Sequence, residues 1–198
     1  MGYDPERHHR KSNRLLGYDY SRGGMYYVTI CTRDRLPLLS KIENNGGTGL
    51  ASVLNNAGPF TLTRVGEIVD RNWKEISTHY LNVAIDDYII MPNHLHGILI
   101  FNSRDKNVAN PERAPASDAP PLYLGSIIGV FKSRCVIENL KFIKKNGSDE
   151  IGKIWQKNYH DQIVRNEDDL ERFRKYIRIN PITWLDDENN LESKNESC

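Results

Sequence analysis

His94 and His96 stand at alternate positions in the run Asp86-Asp87-Tyr88-Ile89-Ile90-Met91-Pro92-Asn93-His94-Leu95-His96-Gly97-Ile98-Leu99-Ile100-Phe101. The run reads as two apolar strands joined at Met91-Pro92-Asn93. Successive side chains on a strand point to opposite faces, so both imidazoles emerge on one face, two rises apart. Two imidazoles converging there could share one divalent metal ion, since histidine is the commonest such ligand. The competing reading makes both of them hydrogen-bonded core or turn residues, as short motif matches often are. Apolar residues on both sides mark a buried central strand, where adjacent polar rings need partners.

A second chemical pair lies near the C-terminus. At about 100° per residue, Leu170, Phe173 and Ile177 form one apolar stripe of a helix, with Tyr176 and Asn180 within roughly 60° of Phe173. Residues four apart sit one above the other, so a phenol and a carboxamide are offered together along the edge of the core. The plain alternative is a core-edge tyrosine and a C-terminal helix cap before Pro181. Taken with the histidines, two imidazoles and an amide oxygen make a three-ligand site suited to Mg²⁺ or Mn²⁺, with positions open for a phosphate. Such an ion would act as a Lewis acid on a phosphoryl group. A phenol, with an ordinary pKa of about 10, becomes a competent nucleophile when a nearby cation stabilises its phenolate. Its attack on DNA would leave a covalent phosphotyrosine that a free hydroxyl could reverse, which suits strand transfer better than hydrolysis.

The elements that must position these groups follow from the chain in order. Residues 1–24 form a polar, basic arm that ends in Gly17-Tyr18-Asp19-Tyr20-Ser21, where tyrosines interleave with Arg14 and Arg22. Such aromatics could stack on unpaired bases, or simply pin the arm. Met25 to Thr32 is a strand rich in β-branched and aromatic residues. Residues 43–59 are a loop by their turn chemistry. Thr63 caps a helix with Val65, Ile68, Val69, Trp73 and Ile76 at helical spacing. Residues 102–121 form a Pro- and Ala-containing insertion. Leu124, Ile127, Ile128, Phe131 and Cys135 define a second amphipathic helix, residues 153–164 read as a strand, and Asn166 caps the last helix, which ends before Pro181. Asp168 and Asp169 sit in that helix's first turn, where its dipole favours them. The order β-α-β-β-α-β-α predicts an α+β fold, a largely antiparallel sheet with helices on one face.

A chain of 198 residues is one domain by length and large enough for a proper core. Its 38% hydrophobic and 27% charged content fits a soluble globular protein that is somewhat polar. The longest apolar run is far short of a membrane span. The N-terminus lacks the apolar core of a signal peptide, and Cys31, Cys135 and Cys198 suggest neither a disulfide framework nor a zinc knuckle. These features point to the cytoplasm. The net charge of +1 conceals local basic clusters, among them Lys132 and Arg134 and also Arg172, Arg174, Lys175 and Arg178, offset by an acidic tail over 185–198 expected to be disordered. Local patches rather than the sum contact phosphates; solvated helix faces are the alternative.

Four strings occur in order: Gly17-Tyr18-Asp19-Tyr20-Ser21, Tyr27-Val28-Thr29-Ile30-Cys31-Thr32, Met91-Pro92-Asn93-His94-Leu95-His96-Gly97 and Tyr176-Ile177-Arg178-Ile179-Asn180-Pro181. Together, over about residues 12 to 184, the chain resembles the REP-associated tyrosine transposases, a branch of the single-tyrosine HUH transposases. The resemblance implies a ferredoxin-like HUH fold over 25–184, dependence on a divalent metal, and cleavage of single-stranded DNA near a repeat hairpin. It implies His94, His96 and Asn180 as metal ligands, Tyr176 as nucleophile, and Tyr18, Asp19 and Tyr20 as contacts to bases beside the hairpin; Arg14, from the basic arm, is a candidate DNA contact by its charge. Lys132, Arg134, Arg172 and Lys175 are the further candidate DNA contacts. Residues 43–59 and 103–121 are longer than the family pattern. Tyr123 and Tyr159 compete as nucleophiles, but neither has an asparagine four residues on. Three functions follow: an active DNA-strand transferase, a domesticated repeat-hairpin binder with little transposition, and a metal-dependent nuclease using water. Monomer and homodimer are equally compatible with the sequence.

Overall fold

The two central strands bury side chains on both of their faces, and the fold is built outward from them. The computed structural model describes residues 23–42, 60–102, 123–147 and 152–184. Its strands are β1 (Gly24–Cys31), β2 (Ser40–Ile42), β3 (Phe60–Leu62), β4 (Val83–Ile90), β5 (His94–Phe101) and β6 (His160–Val164). Its helices are α1 (Arg64–Lys74), α2 (Ile76–His79), α3 (Leu124–Asn146) and α4 (Glu167–Ile179), with a short turn of left-handed backbone at Arg33–Arg35. Four strands form one antiparallel sheet in the order β4-β5-β1-β6, and β2 and β3 form a separate small ladder. This is the β-α-β-β-α-β arrangement of a ferredoxin-like α+β fold.

Period-two alternation sorts the central strands into two faces. Tyr26, Val28 and Ile30 of β1 stand opposite Leu99, Gly97 and Leu95 of β5. This face is packed by Ile68, Val69 and Trp73 of α1 and by Leu124, Ile127, Ile128 and Phe131 of α3. Gly97 is obligatory here, because a Cβ at that position would lie 2.4 Å from Trp73. Tyr27, Thr29 and Cys31 stand opposite Ile98, His96 and His94 on the other face. There Leu170, Phe173 and Ile177 of α4 cover Tyr27 and Ile98. The expectation of helices on one face is therefore corrected: α1 and α3 share one face and α4 takes the other. Both faces of β1 and β5 carry large side chains, and each needs cover.

Local signals set most boundaries. Thr63 accepts from the Gly66 N–H at the start of α1, and Asn166 accepts from the Asp169 N–H at the start of α4. Helix α3 continues well past Cys135 to Asn146, where Gly147 at φ 61° ends it. The expected strand over 153–164 is shorter, only His160–Val164. Ile154 and Trp155 are both buried, so this stretch lacks strand alternation. It is instead hung beyond the end of β1, with Arg33 N–H donating to Ile154 O at 2.8 Å and Gln156 N–H to Cys31 O at 3.0 Å. The ladder of β2 and β3 was not legible in the flanks of the 43–59 loop. Residues 1–22 of the N-terminal arm, residues 43–59 and 103–121 of the two insertions and the acidic tail lie outside the described residues, while Gly24 at the end of the expected arm opens β1.

Candidate functional site

Register brings the chemistry together on the α4 face. His94 and His96 are 0% and 2% exposed, and their Nε2 atoms are 2.9 Å apart. Asn93 fixes the first ring: its Oδ1 accepts from His94 Nδ1–H at 2.9 Å, while its Nδ2 donates to Arg35 O at 3.2 Å. His94 Nε2 is thereby left as a bare lone pair. Burial, aided by the charge of Arg35, pushes the His94 pKa down to about 3, so the ring is neutral at ordinary pH. His96 Nδ1 lies 2.7 Å from Tyr27 Oη and 2.9 Å from Thr29 Oγ1. A hydroxyl both donates and accepts, so these two support either tautomer of His96. With Nδ1 accepting, His96 Nε2–H can donate to His94. With Nδ1 donating, both Nε2 lone pairs face one point.

That second state fits a divalent cation. Two ligand atoms about 2.1 Å from one ion and at right angles lie about 3.0 Å apart, close to the separation seen. Second-sphere groups that fix the far nitrogen of each imidazole are what a metal-binding histidine needs. Among the described residues no cluster of three or more His, Cys, Asp or Glu could hold a metal ion; the third ligand that the resemblance implies is an amide. Asn180, 2% exposed at the C-cap of α4, is the amide the sequence nominates. Trp184 closes this end, its ring 5.8 Å from that of His94.

Tyr176 sits one helical turn before Asn180, its ring 5.3 Å from the His96 ring and 6.2 Å from Tyr27. It is 45% exposed, so a substrate can reach it. Beside it opens a cleft of about 460 Å³. Tyr27, Thr29, Cys31 and His96 line its floor, His160 and Gln162 of β6 its far side, and Arg172, Phe173 and Tyr176 of α4 its wall, with Arg35 completing the rim. Among the described residues two arginines and two histidines face this space and no carboxylate does.

A bulge in β4 meets α4 through two ion pairs. Asp86 and Asp87 together oppose Ile98, between the pairs Ile85–Leu99 and Tyr88–Gly97. An extra residue of this kind re-aims side chains. Arg174 grips Asp86 in a fork, Nη2 to Oδ2 at 2.7 Å and Nε to Oδ1 at 2.9 Å, and Arg178 Nε lies 2.8 Å from Asp87. The Arg174 guanidinium holds the Asp86 carboxyl below its usual pKa.

The other sequence candidates scatter. Arg172 reaches the cleft while donating to Asp169 Oδ1 at 2.9 Å. Lys175 is exposed on α4. Lys132 is spent on the carbonyls of Gln156 and Asn158, and Arg134 is held by Glu75 and His79; both belong to α3, on the opposite face. Arg14, Tyr18, Asp19 and Tyr20 lie outside the described residues. Tyr123 starts α3, and Tyr159 packs against the core of that same face. Sequence reasoning missed Tyr27, Thr29, Asn93, Arg35 and the bulge. Alternation in β1 would have found the first two had the register with β5 been known.

A search of protein-family models gives no match. A Haemophilus influenzae (strain ATCC 51907 / DSM 11121 / KW20 / Rd) protein, described only as uncharacterized, is 32% identical over 187 residues, which is 94% of this chain and 96% of that one. The chain belongs to that protein's family. Among solved structures, one of a REP-associated tyrosine transposase bound to a REP hairpin is similar at a TM-score of 0.46 and 15% identity, over 86% of this chain and 74% of that one. Among the described residues no helix is long and apolar enough to cross a membrane.

Proposed function

We propose that this protein cleaves single-stranded DNA and transfers the strand through a covalent phosphotyrosine on Tyr176, as a metal-dependent tyrosine transposase. The observation that carries the reading is the convergence of His94 Nε2 and His96 Nε2 to 2.9 Å, with the accessible Tyr176 ring packed on His96. His94, His96 and Asn180 would hold Mg²⁺ or Mn²⁺, which when bound supplies Lewis-acid polarisation of a phosphoryl oxygen. Tyr27, Thr29 and Asn93 orient the imidazoles. Phe173 and Ile177 seat the helix that presents the phenol. As the Tyr176 Oη–phosphorus bond forms, a phosphorus–oxygen bond to the sugar breaks, and the proton lost by the phenol balances the one gained by the departing hydroxyl. One phosphodiester replaces another, so a strand hydroxyl can reverse the step. The preference for repeat hairpins rests on the resemblance of the four sequence strings to REP-associated tyrosine transposases.

The test incubates wild type and Tyr176→Phe with Mn²⁺ or Mg²⁺ and labelled hairpins drawn from repeats flanking the gene, followed by a denaturing gel. A protein–DNA band in wild type alone is expected. Tight binding without an adduct in either protein would make this a hairpin binder, and cleavage without an adduct would assign the attack to water.

A further inference from the structure

Arg35 is built into the cleft at a cost that the fold does not explain. Asp34 and Arg35 carry φ of 52° and 53°, the left-handed region that non-glycine residues avoid. Strain of this kind persists where surrounding structure fixes it, and it gathers at functional sites. Here Asn93 does the fixing: one amide holds both the Arg35 carbonyl and the His94 ring. The Arg35 side chain lines the cleft with His96 and Tyr176, and its Nη1 is buried with no hydrogen-bond partner among the described residues. Its neighbour Asp34 turns away to Arg33. Among the described residues the other titratable groups on the cleft wall are Tyr27, Cys31, His96, His160, Arg172 and Tyr176, none of them a carboxylate. A buried guanidinium nitrogen without a partner needs an acceptor, and a planar fork suits a phosphate.

We propose that Arg35 binds the phosphodiester presented to Tyr176, with Arg172 as the second, more exposed cation of the same anion site. This rests on the strand-transfer reading for the identity of the anion, but its test does not depend on that chemistry. The probe is the dinucleotide TpT, which has one phosphodiester and no hairpin, titrated into metal-free full-length protein and followed by ³¹P NMR. Arg35→Gln should weaken binding by about tenfold or more, the loss of a charge-assisted hydrogen bond, while Arg35→Lys falls between. Arg35→Gly is the control for folding: glycine accepts the left-handed backbone and keeps the carbonyl that Asn93 holds, so its melting temperature should be unchanged or raised while binding is lost. Equal TpT binding by wild type and Arg35→Gln would overturn the proposal, and so would a collapse in melting temperature for Arg35→Gly, which would make the residue structural. Adduct formation at equal rates in wild type and Arg35→Gln would sink the proposal and leave strand transfer standing. Arg35-dependent TpT binding by a protein that forms no adduct with any hairpin would do the reverse.

Discussion

The two faces of the central sheet are made from alternate residues of the same strands, yet they are built to different ends. On the α1 and α3 face, Tyr26, Val28, Ile30, Leu95 and Leu99 are fully buried, and Gly97 leaves its space to Trp73. On the α4 face, Thr29, His94 and His96 take the places where further apolar side chains would fit, and one helix covers the sheet only in part. The first face gains stability by closing completely. The second gives up apolar contact to hold polar groups in fixed orientations beside open space. Mutations on the two faces should therefore separate stability from chemistry.

The sharpest separation is Tyr176→Phe. Adduct formation should fall at least about a thousandfold, as loss of a nucleophile does. The melting temperature should hold, because the side chain is half-exposed and loss of its hydroxyl leaves no cavity. A variant that still forms the adduct would move the nucleophile elsewhere. Across the sheet, Trp73→Ala should cost about 3–5 kcal/mol in urea unfolding, since the indole is fully buried against Phe131. A smaller loss, below about 1 kcal/mol, would mean this face is not the stability core. Gly97→Ala probes the same contact more gently and should cost about 1–3 kcal/mol by overpacking, with histidine chemistry preserved in whatever fraction folds.

Thr29→Val sharpens the comparison from the other face. It keeps shape and removes one of two hydroxyls on His96, so Mn²⁺ affinity measured by calorimetry should fall about tenfold with little change in stability. Unchanged affinity would remove Thr29 from the site. The smallest expected effect concerns the bulge. The Asp86 carboxyl is held below its ordinary value of 3.8 mainly by its hydrogen bonds to Arg174. A depressed carboxylate adds stability above its unfolded pKa, and this is lost as pH falls through the folded pKa. Melting temperatures taken from pH 5 to pH 3 should therefore decline less steeply in Asp86→Asn than in wild type. Parallel curves would show that the pair does not hold α4 down.

What the sequence determined by itself is what local physics encodes. The side-chain alternation that puts His94 and His96 on one face needs only the strand's period. The stripe of Leu170, Phe173 and Ile177 needs only the helix's period, and the caps at Thr63 and Asn166 need only a side chain and an N–H a few residues away. Tyr176 and Asn180 were legible because four residues make about one helical turn. The tertiary structure alone decided which face α4 covers and which residues of β1 meet the histidines, because antiparallel register joins residues such as Thr29 and His96 that lie far apart in the chain. It also decided the bulge that turns Asp86 and Asp87 toward α4, and the left-handed turn that sets Arg35 at the cleft. Each depends on a partner segment supplied by folding, and no spacing within a single segment records it.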